Sequence, residues 1–236
     1  MYGHYDLFDF SIVFEKIIAK IEKDGDVYSY IREGENERKE KIILGKGGRV
    51  IVNPIEPVNL PKEITNFLQI KFKEPIFSEP KSSVEVYLTF PIEVGVFLAA
   101  KKNIDVLDIF SLNRPKFSLY GNPRNGIICR YWQSDIFSQI PEVNHLKEGI
   151  MLLRVTNTSN EWIEISNVVF DIYAMKIYFD ESMVSSKASV NIASQRVAET
   201  QFIAKPLKSG MSKSLELYTA RKMPVVGKKF VMEWGL

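Results

Sequence analysis

From Val84 to Leu98 the chain reads VEVYLTFPIEVGVFL, with an apolar residue at every even position. Period 2 is the period of a β-strand, whereas a helix would scatter these side chains around its circumference. The alternation predicts that Val84, Val86, Leu88, Phe90, Ile92, Val94, Val96 and Leu98 all face one way. At ~3.3 Å per residue the run would span roughly 50 Å, more than twice the usual strand length. Pro91 removes a ladder donor and Gly95 has no side chain to pack. A bend or bulge is therefore expected near Pro91, with the chain leaving one sheet for another or turning an edge.

Short β-rich segments separated by turn signals recur along the rest of the chain. Asp24-Gly25 between two apolar runs predicts a hairpin joining residues 16–22 to 27–33, with a helix over residues 15–23 as the competing reading. Residues 32–41 are almost all charged and read as a solvated loop. A second hairpin is expected around Gly45-Lys46-Gly47-Gly48, joining 41–44 to 49–53. Pro54, Pro57 and Pro61 then mark an extended connector. Residues 134–148 are the best candidate for a helix, with Ser134 as N-cap and Pro141 as breaker. The densest loop signal, residues 120–126, suggests a boundary between an N-terminal unit (1–121) and a C-terminal unit (122–236), and one continuous domain is the competing reading. Strand–turn–strand patterns at 67–98 and 149–179 are faintly alike, as a tandem duplication would make them. The expected architecture is mainly β: antiparallel β-sandwich, as two packed sandwich units with little helix.

The formal charge of +2 implies no partner class, and 45% hydrophobic content is enough for a real core. A single cysteine, Cys129, rules out an intrachain disulfide and suits a reducing compartment. No signal-peptide pattern opens the sequence, and no apolar run approaches the ~20 residues that span a bilayer. These features predict a cytoplasmic protein with no membrane association.

No chemical motif stands out against its plain structural explanation. His4 and Asp6 are weak metal candidates, and an N-terminal strand on a sheet edge explains them as well. His145 reads as a surface loop residue and Cys129 as a small buried hydrophobe. Gly45-Lys46-Gly47-Gly48 lacks the Ser/Thr and the following helix of a phosphate-binding loop. Asp105 with Asp108, and Asp180 with Glu181, are close carboxylate pairs that also serve as ordinary solubilising residues. Glu93 is the weak catalytic candidate, because it sits beside Pro91 and Gly95 where a bulge would re-aim it; a solvated strand face is the alternative. The one charge asymmetry is the segment from Lys205 to Lys229. It holds Lys205, Lys208, Lys213, Arg221, Lys222, Lys228 and Lys229 against Glu216 alone. Such a cluster could bind a polyanion, or guard exposed strand edges.

The opening Met1-Tyr2-Gly3-His4-Tyr5, the connector from Asn53 to Pro61 and the stretch from Phe90 to Val96 together resemble an archaeal family of uncharacterised proteins, the domain-of-unknown-function 432 family. The similarity runs over most of the chain. It implies an archaeal, cytoplasmic protein and carries no catalytic residue onto this sequence. The residues point to no cofactor and leave open whether the protein is an enzyme, leaning against it. A non-enzymatic binding or protein-interaction module is the leading expectation. A carboxylate-based hydrolase using Glu93 and a polyanion-binding protein using the C-terminal lysines are the alternatives. The partner stays open between another protein, a second copy of the chain and, with less support, nucleic acid.

Overall fold

The structure, a computed structural model, describes residues 1–35, 37–45, 47–60, 64–101, 103–217 and 229–236. The strands run β1 (Gly3–Asp6), β2 (Ser11–Phe14), β3 (Ile17–Asp24), β4 (Val27–Glu33), β5 (Arg38–Leu44) and β6 (Arg49–Ile55). They continue through β7 (Phe67–Ser78), β8 (Ser83–Pro91), β9 (Glu93–Ala100), β10 (Asn103–Phe110), β11 (Phe117–Tyr120), β12 (Ile127–Ser134) and β13 (Glu148–Asn157). The last are β14 (Ile163–Asp171), β15 (Tyr178–Phe179), β16 (Val184–Ile192), β17 (Ala198–Ile203), β18 (Ser212–Lys213) and β19 (Lys229–Met232). Among the described residues strand makes up 59% and helix 3%, consistent with an all-β sandwich architecture.

Two units are resolved by their internal contacts: Met1–Asn53 with Val94–Phe110, and Pro54–Glu93 with Ser111–Leu236. Each is discontinuous in sequence, which differs from a single cut near residue 121. The loop at 120–126 lies inside the second unit, between β11 and β12.

In the first unit the meander β2-β3-β4-β5 packs on the sheet β1-β6-β9-β10. Phe14 meets Phe110 edge-on, with ring centroids 5.3 Å apart. The β3–β4 hairpin turns at Gly25, whose φ of +60° a residue without a side chain adopts at little cost.

Two expectations are corrected here. Residues 38–41 belong to β5 rather than to a loop, and β5 pairs with β4 while β6 belongs to the other sheet, so β5 and β6 form no hairpin. The physical reason is that Arg32 and Lys39 of this run turn toward a buried carboxylate, while Glu37, Arg38 and Glu40 stay exposed. Asp108 is only 1% exposed. It accepts hydrogen bonds from the Tyr30 hydroxyl (2.9 Å), Arg32 Nε (2.6 Å) and Lys39 Nζ (2.5 Å). Lys41 donates to the Leu107 carbonyl. A register shift between Val106 and Asp108 turns Asp108 inward while Asp105 stays exposed, so that carboxylate pair does not converge.

The second unit opposes a four-stranded sheet, β11-β12-β7-β14, to a seven-stranded one, β18-β15-β16-β13-β8 with β17 on β16 and β19 on β17. An interior strand of each has one parallel and one antiparallel neighbour. β7 lies parallel to β12 and antiparallel to β14, and β13 lies parallel to β16 and antiparallel to β8. No helix forms at 134–148. Ser134 ends β12 instead of capping a helix, accepting from the Thr89 amide (2.8 Å) and donating to the Asp135 carbonyl (2.7 Å). Phe137 then bridges Tyr87.

The long alternation divides at Ile92 into β8 of the seven-stranded sheet and β9 of the β1-β6-β9-β10 sheet. The expected change of sheet therefore occurs, but the single apolar face does not. Val84 is 56% exposed at one end, while Phe97, on the supposedly open face, is wholly buried. Gly149 stands opposite Phe90 in register, and a Cβ there would come within 2.3 Å of the ring.

Candidate functional site

Glu93 is 0% exposed, neither on a solvated face nor open to a substrate. Burial pushes its carboxyl up to about 7, against the opposing pull of hydrogen bonds from Asn59 and the charge of Arg130. The Asn59 backbone amide donates to Glu93 Oε2 at 3.1 Å, while Oε1 has no hydrogen-bond partner among the described residues. Arg130, on β12, is 1% exposed, and its Nε and Nη1 also lack partners. Its guanidinium lies 5.8 Å from the Phe117 ring centroid. Burial lowers its pKa, and Glu93 works against that shift. Asn59 links this pair to the main chain of a second buried acidic residue, because its side-chain amide donates to the Glu56 backbone carbonyl (2.7 Å). Burial pushes Glu56 up to about 7 as well, and nearby Glu216 adds to the rise. The connector expected from its prolines thus carries a buried polar seam, a sequence feature that composition alone does not reveal.

The other candidates are dispersed. His4 and Asp6 lie exposed on β1, an edge strand paired to β6. Among the described residues no group of three His, Cys, Asp or Glu side chains could hold a metal. Cys129 is buried and its thiol is pushed up to about 12 by burial, far from the range of a reactive thiolate. Asp180 caps its own turn, accepting from the amides of Ser182 (2.8 Å) and Met183 (2.9 Å).

Of the basic cluster, Arg221, Lys222 and Lys228 lie outside the described residues. Lys213 pairs with Glu216 and Lys229 with Glu199, each at 2.7 Å. Lys208 exerts its charge on Asp180. Among the described members of the cluster, Lys205 alone joins other cations at a depression.

That depression is a groove of about 260 Å³ on the outer face of the seven-stranded sheet. Glu85, Leu152, Arg154, Lys187, Ile203 and Lys205 line it. Strand alternation puts them on one face: Lys187 is the register partner of both Leu152 and Ile203, and Arg154 of Glu85. Arg154 donates through Nε (3.1 Å) and Nη2 (2.8 Å) to Glu85 Oε1. Lys187 and Lys205 have no ion-pair partner among the described residues, so the groove carries an excess of positive charge. Arg154 and Lys187 were invisible as site residues because each sits singly on its own strand, and only the strand pairing brings them to Lys205.

Among the described residues no helix is long and apolar enough to cross a membrane. No curated protein and no solved structure matches the chain. A family model described as "Protein of unknown function (DUF432)" matches residues 1–233, nearly the whole length. The chain therefore belongs to the DUF432 family.

Proposed function

We propose that this protein is a non-enzymatic binding module whose ligand is negatively charged and seats on the outer face of the seven-stranded sheet. The observation that carries this reading is the groove itself, where Arg154, Lys187 and Lys205 face a single carboxylate, Glu85. Converging cations attract anions through the local field, and a concave wall of low dielectric strengthens that field. Burial of Glu93 favours binding over a carboxylate hydrolase, because a general acid must come within hydrogen-bond reach of the group it protonates. A cytoplasmic setting suits the unpaired Cys129.

The test is calorimetric titration of the full chain with inorganic phosphate at low salt. Binding is expected, and the double variant Lys187→Gln/Lys205→Gln should weaken it about ten-fold or more, the scale of two lost charged contacts. No binding at low salt, or equal binding by the variant, contradicts the reading.

A further inference from the structure

Ser189 lies on β16 two residues beyond Lys187, so both side chains stand on the outer face. The strand register places it in a polar row across five strands: Lys229, Gln201, Ser189, Arg154 and Glu85 are successive partners. The neighbouring row is Ile203, Lys187, Leu152 and Tyr87. Ser189 is 5% exposed, yet its hydroxyl has no hydrogen-bond partner among the described residues. Buried hydroxyls are nearly always satisfied, so an idle one calls for an explanation. Here it stands between Arg154 and Gln201, beside a groove with excess positive charge.

We infer that Ser189 is the neutral donor at the edge of an oxyanion seat, in which Arg154, Lys187 and Lys205 hold a phosphate or carboxylate head group of a small molecule. This deepens the anion-binding reading and rests on it. Arg154 spends Nε and Nη2 on Glu85, which fixes its plane and leaves Nη1 for the ligand. Lys187 and Lys205 act as mobile point charges, and Leu152 with Ile203 offers apolar surface to the body of the ligand. Two features favour a small ligand over a nucleic-acid strand. The volume of about 260 Å³ lies just under the usual range for drug-sized sites. Among the described residues no aromatic side chain lines the groove for base stacking, and Lys213 and Lys229 each hold an ion pair with a carboxylate.

Ser189→Ala separates a seat from a merely positive surface, since it leaves every charge in place. Inorganic phosphate, acetate and heparin are titrated into the wild type, Ser189→Ala and Lys187→Gln/Lys205→Gln, with thermal melts of all three proteins. The expected result is phosphate or acetate binding that Ser189→Ala weakens about two- to ten-fold, with an unchanged melting temperature, because the hydroxyl has no partner to lose. The tighter of the two small anions identifies the head group. If only the double lysine variant weakens binding, the seat is refuted and the broader anion-binding reading survives. If heparin binds with a steep salt dependence and the small anions do not, the ligand is a polymer and the inference fails. If nothing binds, both readings fail.

Discussion

Replacing Asp108 with alanine is expected to destabilise the protein by about 3–5 kcal/mol, because it leaves a buried guanidinium without its main counter-charge. Arg32 is 3% exposed and would keep only Glu37, at 3.2 Å through Nη1 and 2.9 Å through Nη2. Its Nε and the Tyr30 hydroxyl would be stranded in the core. Lys39, at 37% side-chain exposure, can turn to water and so adds less to the loss. For a chain of this size the melting temperature should fall by roughly 10 °C, at about 2–4 °C per kcal/mol. Arg32→Met/Asp108→Leu removes both charges together and should cost much less than Asp108→Ala alone. Denaturant unfolding of the three proteins checks this; a double variant as unstable as the single would refute the charge argument.

The second large effect is a loss of stability on raising the pH through neutrality. Glu93 and Glu56 have folded-state values of about 7, raised by burial from 4.5. A raised carboxyl stabilises the fold only while it is protonated in the folded state. That contribution is complete below about pH 4.5 and disappears as the pH rises through 7. A shift of this size corresponds to a differential on the order of 3 kcal/mol for each group. In the folded state Glu93 faces the Asn59 and Leu60 amides and Arg130, while Glu56 faces the Leu217 amide, Lys176 and the like-charged Glu216. On the acid side, the hydrogen bond from Arg32 holds Glu37 below the ordinary carboxylate range, a contribution that fades on acidification. Stability is therefore expected to peak at mildly acidic pH and to fall towards pH 8. Glu56→Gln/Glu93→Gln should flatten that fall. Denaturation midpoints from pH 5 to 8 check the slope, and a wild-type midpoint that rises across this range contradicts it.

Much of the fold was legible in local patterns. The period-2 run at 84–98 announced a β protein, and Pro91 announced the place where the run breaks, since a missing ladder donor is a local property. Residues 32–41 misled because charge was equated with solvent. Arg32 and Lys39 face inward for the sake of Asp108, 76 and 69 positions away, and no local signal carries that distance. Residues 134–148 misled because Ser134 has the chemistry of an N-cap, but its hydroxyl is taken by the strand amide of Thr89.

Of the candidate site, only Lys205 was visible. It stood out in a dense run of lysines, most of whose described members turn out to be spent on nearby carboxylates. Arg154, Lys187 and Ser189 carry no motif. Their significance comes from register, which places residues of β13, β16 and β17 side by side. Glu93 was singled out for its neighbours Pro91 and Gly95. That reasoning found an unusual group, but one buried beside Arg130 and Asn59 instead of open to a ligand.

The central claim is that an anion seats on one face of the seven-stranded sheet. The most direct measurement is an amide NMR titration of the isotope-labelled protein with inorganic phosphate at low salt. The account predicts saturable shifts concentrated on Arg154, Lys187, Ala188, Ser189, Ile203 and Lys205, with little change at the 120–126 loop or on β1. Shifts scattered over every lysine-bearing strand, centred elsewhere or absent would contradict it.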